Sequence, residues 1–148
     1  MSTHSLADPQ LPVSTSRTSA SRVVNNVSEL AGRLFPSILF VASGLGKITA
    51  YSGTAAYMSA LGVPGFLLPL AIVTEIAGAA AIVAGWKTRI VAFLLAGYSL
   101  LTAILFHSNF GDQIEMVMFL KNVSIAGGLL LLVANGAGPL SLDRRAAR

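Results

Sequence analysis

The chain has 148 residues, of which 54% are hydrophobic and only 11% are charged, and its mean hydropathy is +0.73. Soluble domains carry about 25% charged residues, so this composition is typical of a membrane protein. The pI of about 10.0 does not indicate a nucleic-acid partner, because the basic residues lie in short segments between apolar runs. The absence of cysteine excludes a disulfide, a thiolate nucleophile and self-contained thiol–disulfide chemistry.

The beginning of the chain predicts a tail followed by a membrane span. Residues 1–28 are rich in Ser, Thr and Asn and lack apolar periodicity, which predicts a disordered tail. The first span follows at about residues 30–49. Arg33 and Lys47 are about 21 Å apart along a helix, less than the ~30 Å hydrocarbon core, so at least one must snorkel or lie inside the membrane. Lys47 shares a face with small residues such as Gly44, which favours a position inside the bundle.

The remaining apolar runs predict three further spans. Residues 50–64 are too polar to cross a membrane and too apolar for a plain loop, so we expect a short interfacial helix. Residues 136–148 form a basic tail. We therefore predict an all-α, four-transmembrane-helix bundle in residues 29–135, with the interfacial helix between spans one and two. Spans two to four are expected at about 65–85, 90–106 and 114–134.

The distribution of arginine and lysine residues along the chain predicts its orientation in the membrane. They occur before span one, in the turn after span two and in the C-terminal tail, whereas the connections 50–64 and 107–113 have none. The positive-inside rule then places both tails in the cytoplasm.

One polar cluster follows from this topology. Lys47, Glu75, His107 and Lys121 belong to successive spans or to their outer ends, and Asn122 follows Lys121. We expect these side chains to converge in the outer half of the bundle. We expect no metal site, because His107 has no second His or Cys within reach.

Glu75 is the most unusual residue of this cluster, because it lies near the middle of an apolar span. The plainer interpretation is a structural ion pair with Lys121 that fixes the helix register. The alternative is a functional carboxylate, either a proton relay or an anchor for a polar head group such as a quinone carbonyl.

These residues resemble the DoxX family of small four-span membrane proteins over about residues 33–135. Each motif alone is weak, but together they fix the polar residue of every helix in order. The matching motifs are SGLGKI (43–48), GVP (62–64), Glu75 with Gly78, Gly85 with Arg89, His107 with Phe110, FLKN (119–122) and Gly127 with Gly128.

The resemblance implies a four-helix bundle in the bacterial inner membrane. The family takes its name from a subunit of a thiosulfate:quinone oxidoreductase, and some members are linked to membrane redox complexes. It therefore implies an accessory or quinone-facing subunit of a thiol, sulfur or oxidative-stress system, rather than an enzyme on its own. Quinone is the candidate cofactor, and the candidate partners are the lipid bilayer, a redox protein and a second copy of the chain. A small proton-coupled transporter and a non-catalytic scaffold are the alternatives.

Overall fold

A computed structural model describes residues 19–147, and this part of the chain contains helices and turns but no strand. Three helical segments are long and apolar enough to cross a membrane, and a fourth is formed if α1 and α2, bent by 97°, count as one broken span. The predicted all-α fold is confirmed, and the arrangement is consistent with a four-helix bundle. The helices are α1 (Ser19–Thr49), α2 (Tyr51–Ala60), α3 (Leu68–Ala84), α4 (Thr88–Phe106), α5 (Gln113–Asn135) and α6 (Leu142–Ala146), and a 3-10 turn at Gly65–Leu67 precedes α3.

The four long helices form a closed ring. Helix α1 packs on α3, α3 on α4, α4 on α5, and α5 returns to α1, with the most extensive contacts in the pairs α1–α3 and α4–α5. Small side chains such as Ala79, Ala92 and Ala96 are almost fully buried between larger ones such as Leu95 and Leu129. Small residues allow close approach of helices, and this matters in a bilayer because lipid tails are as apolar as the helix surfaces.

The first helix is longer than the sequence predicted. It begins at Ser19 and so includes residues that we expected in a disordered tail; the rest of that predicted tail, residues 1–18, lies outside the described residues. Residues 19–31 contain no proline and no glycine, so a helix nucleated in the membrane extends through them at little cost. At 31 residues, α1 is about 46 Å long and exceeds the ~30 Å hydrocarbon core.

The C-terminal segment, which we predicted as a basic tail, is a packed part of the fold. The Asp143 carboxylate accepts hydrogen bonds from the backbone N–H groups of Lys87 (2.6 Å) and Thr88 (2.8 Å), at the start of α4. The Asp143 N–H donates to the carbonyl of Gly85, which ends α3 in the left-handed region at φ 67°. Asp143 therefore caps the beginning of α4. Lys87 occupies the N-cap position of this helix but provides no side-chain cap.

Arg33 ties the same end of the bundle together. Its side chain is 1% exposed, and it donates to the carbonyl oxygens of Val83 (3.1 Å) and Leu140 (2.6 Å). Helix α1 is thereby linked both to the end of α3 and to the C-terminal segment. We call this end, formed by residues 85–89 and 136–147, the basic end.

Candidate functional site

A cavity of about 480 Å³ lies at the end of the bundle opposite the basic end. Its walls come from the second half of α1, from α2, from the first half of α3, from the second half of α4 and from the beginning of α5. Most of the lining side chains are aliphatic or aromatic, and small-molecule sites of about 300–1,000 Å³ are typically lined in this way. All five residues predicted for the polar cluster line this cavity: Lys47, Glu75, His107, Lys121 and Asn122.

Glu75 is held by three donated hydrogen bonds. Lys47 Nζ lies 2.9 Å from Oε1 and 3.1 Å from Oε2, and the hydroxyl of Tyr98 donates to Oε1 at 2.8 Å. Lys47 Nζ also donates to Ser43 Oγ at 2.6 Å. The Glu75 residue is 3% exposed, whereas the Lys47 side chain keeps 25% of its surface exposed. The carboxylate is thus buried and satisfied, and the ammonium group has an acceptor for each of its protons.

Close packing of α1 against α3 brings these two charges together. A Cβ atom added to Gly44 would lie 2.8 Å from Ile76 Cγ1, so the absence of a side chain at Gly44 lets α3 approach. Lys47 follows one turn later on α1, and Glu75 precedes Ile76 on α3. The long lysine stem then spans the remaining gap.

The predicted ion pair between Glu75 and Lys121 is wrong. Glu75 is paired with Lys47, and Lys121 Nζ donates instead to Met118 Sδ at 3.3 Å, one turn earlier on α5. The prediction placed both charges in the outer half of the bundle, but membrane depth does not determine how each helix is rotated about its axis. Lys121 lines the cavity as a cation whose one hydrogen bond within residues 19–147 goes to a weak sulfur acceptor.

The sequence prediction missed two residues of α4 that belong to the site. Tyr98 bonds to Glu75, and Ser99, which also lines the cavity, is 1% exposed. The Ser99 hydroxyl has no hydrogen-bond partner within residues 19–147, and buried polar atoms are rarely left in this state. The available signal was the clustering of Tyr98, Ser99 and Thr102 on one face of an otherwise apolar helix.

His107 lies at the rim of the cavity. Its Nδ1 is 2.7 Å from Glu115 Oε2, which joins the end of α4 to the first turn of α5. Phe106 precedes His107, and the ring of Tyr57 from α2 stacks on it with 6.1 Å between centroids. The end of α4 therefore carries an imidazole–carboxylate contact and an aromatic pair, and within residues 19–147 His107 pairs with Glu115 rather than with Lys47 or Glu75.

The arrangement favours a ligand with an apolar body and a hydrogen-bond-accepting head. The Glu75 and Lys47 groups are saturated by each other, by Tyr98 and by Ser43, so they offer little to a ligand. The groups with unused hydrogen-bonding capacity lie on the α4–α5 wall: Ser99 Oγ, Lys121 Nζ and the side-chain carbonyl of Asn122, whose amide nitrogen donates to the Met118 carbonyl.

The fold and the cavity together define a small helical membrane protein with a charged pair at the wall of an apolar cavity. The model of the DoxX family matches residues 28–108, and the chain belongs to this family. It is 50% identical over 121 residues to inner membrane protein YqjF of Escherichia coli K12, covering 82% of this chain and 93% of the relative. It is 41% identical over 123 residues to inner membrane protein YphA of the same organism, covering 78% of this chain and 88% of the relative. No solved structure matches the chain.

Proposed function

We propose that the chain is an inner-membrane accessory subunit of a redox system and seats a quinone head group in the cavity. The observation that carries the proposal is the unpartnered, buried hydroxyl of Ser99 in an apolar cavity that Lys121 also lines. The names of the two relatives support the inner-membrane location. With the basic end in the cytoplasm, as the positive-inside rule expects, the cavity would lie in the outer half of the membrane.

The residues of the cavity fit a quinone. Its carbonyl oxygens are acceptors, and Ser99 Oγ and Lys121 Nζ are donors with unused capacity. The aliphatic and aromatic side chains of the other walls suit the ring and the first part of an isoprenoid chain. A bound quinone would supply electron-accepting chemistry, and the chain itself would bind and orient the head group and exclude water from it.

The test is the quinone content of protein extracted directly into native-lipid nanodiscs. We expect quinone to co-purify with the wild type and to fall roughly fivefold in Ser99→Ala, because one hydrogen bond contributes about 1 kcal/mol. Lys121→Ala should lower retention further. Ser124→Ala is the matched control on α5, since the Ser124 hydroxyl bonds to its own helix at Leu120 and does not line the cavity.

The control for the lost charge in Lys121→Ala is Lys87→Ala, because Lys87 is exposed at the basic end. Quinone retained equally by wild type, Ser99→Ala and Lys121→Ala would contradict the proposal. The same holds if wild-type preparations contain no more quinone than an unrelated membrane protein extracted in parallel.

A non-catalytic scaffold is the second candidate function. The observation that favours it is the internal saturation of the Lys47–Glu75 pair, which needs no ligand to be stable. In that case Lys47→Met/Glu75→Leu should preserve both folding and phenotype, since buried ion pairs are often replaceable by apolar groups. A well-folded double variant with a lost phenotype would count against the scaffold.

A further inference from the structure

A second cavity, of about 630 Å³, lies at the basic end and shares no lining residue with the first. It is an open cavity lined by α1, by the start of α4, by the end of α5 and by the C-terminal segment. Its polar lining side chains are Glu29, Arg89, Asn135, Ser141, Asp143 and Arg144.

Most of these groups are already used within the protein. Asp143 accepts the two backbone hydrogen bonds at the start of α4. Ser141 Oγ donates to the carbonyl of Gly138 at 2.7 Å, and Asn135 Nδ2 donates to the carbonyl of Leu131 at 2.9 Å. These three residues therefore use their polar side-chain groups within the protein, and the Asp143 carboxylate adds one negative charge to the cavity.

The cavity is lined by two arginines, Arg89 and Arg144, and by two carboxylates, Glu29 and Asp143, and only the arginines are exposed. Glu29 Oε2 is fully buried and packs against the backbone of Gly138, so this oxygen faces protein rather than the open space. Arg89 and Arg144 are both exposed, and within residues 19–147 neither guanidinium group has a hydrogen-bond or ion-pair partner. Two free guanidinium groups thus line one cavity at the level where α4 begins and α5 ends.

We propose that this cavity binds a phosphate group through Arg89 and Arg144. The planar guanidinium group matches phosphate oxygens bidentately, and basic pockets between membrane helices recognise anionic lipid head groups. Because the cavity lies at the helix ends, the phosphodiester of an anionic phospholipid reaches it directly from the bilayer. A free phosphate ion offers the same chemistry from the aqueous side.

Native mass spectrometry can separate specific binding from general attraction of a basic surface. The protein is taken from nanodiscs of phosphatidylcholine with phosphatidylglycerol, and the lipids that remain bound are counted. We expect the wild type to retain phosphatidylglycerol preferentially, and Arg89→Gln/Arg144→Gln to retain at least about tenfold less, the effect of losing one charge-assisted hydrogen bond. The control is Arg22→Gln/Arg145→Gln, which removes the same charge from exposed residues that do not line the cavity.

Equal losses in the two double variants would overturn the proposal, and so would a wild type that neither prefers phosphatidylglycerol nor responds to inorganic phosphate. A second arm uses inorganic phosphate in detergent and follows the melting temperature. A rise in the wild type that is absent in Arg89→Gln/Arg144→Gln, without retention of phosphatidylglycerol, would assign the site to free phosphate. The same melting curves show whether each variant is folded.

Discussion

Replacing Lys47 by methionine removes the partner of a buried carboxylate while keeping most of the side-chain volume. Glu75 is 3% exposed and would retain only one of its three hydrogen bonds, the one donated by the Tyr98 hydroxyl. Breaking one side of a buried ion pair costs about 3–5 kcal/mol, because an uncompensated charge remains. We therefore expect Lys47→Met to lower the free energy of unfolding by about that amount, and Lys47→Met/Glu75→Leu to recover most of it.

Lys121→Met is the matched comparison. Lys121 is exposed and bonds to a thioether, so its replacement should cost less than about 1 kcal/mol. The changes in the free energy of unfolding caused by Lys121→Met and by Glu75→Leu should add within about 0.5 kcal/mol, as expected for residues that share no hydrogen bond or ion pair. The free energies come from equilibrium unfolding in mixed detergent–denaturant micelles, with far-UV circular dichroism to verify the helical content. Equal coupling of Glu75 to Lys121 and to Lys47 would refute the assignment of the pair.

Three further predictions concern Ser99, Asp143 and Gly44. Ser99→Ala should leave the melting temperature unchanged or raise it, because it removes an unpaired buried hydroxyl. A decrease in the free energy of unfolding of more than about 1 kcal/mol would show that the hydroxyl is bonded within the protein. Burial raises the pKa of the Asp143 carboxyl, but the hydrogen bonds from Thr88 and Lys87 lower it by more, so this pKa lies below its ordinary value. As a helix cap, the ionised carboxylate should contribute about 1 kcal/mol to the free energy of unfolding above about pH 4, and this contribution should be lost as the pH falls further. The melting curves of wild type and Asp143→Ala should therefore converge in acid. A difference that stays constant with pH would contradict this. Gly44→Ala should cost about 1–3 kcal/mol through contact with Ile76, whereas Gly46→Ala, with open space around it, should be neutral or stabilising in the same unfolding assay; equal effects would argue against close α1–α3 packing.

The sequence predicted the apolar spans well because length and hydropathy determine them. The predicted spans at 65–85, 90–106 and 114–134 lie close to the observed helical segments Gly65–Ala84, Thr88–Phe106 and Gln113–Asn135. The start of α1 and the docking of the C-terminal segment were not predictable in this way. The extra residues of α1 continue a helix already nucleated in the membrane, and the C-terminal segment is held by tertiary contacts of polar residues; hydropathy reports neither effect.

Some features of the cavity were predictable from the sequence, whereas others depend on how the helices pack. Membrane depth and topology were enough to predict that Lys47, Glu75 and Lys121 would lie at one end of the bundle. Which of the two lysines meets Glu75 depends on helix rotation and on the close approach at Gly44. Ser99 escaped because serine is an ordinary residue in membrane helices, and its unpartnered hydroxyl is visible only in three dimensions.

Methyl NMR of methionine-labelled protein, titrated with a soluble short-chain quinone, tests ligand binding in the cavity most directly. Met58 is 7% exposed and lines the cavity, whereas Met116 is 40% exposed and does not line it. The proposal predicts a saturable shift of the Met58 methyl resonance, no comparable shift at Met116, and a weaker response in Ser99→Ala. An unchanged Met58 resonance, or equal non-saturating shifts at both methionines, would contradict it.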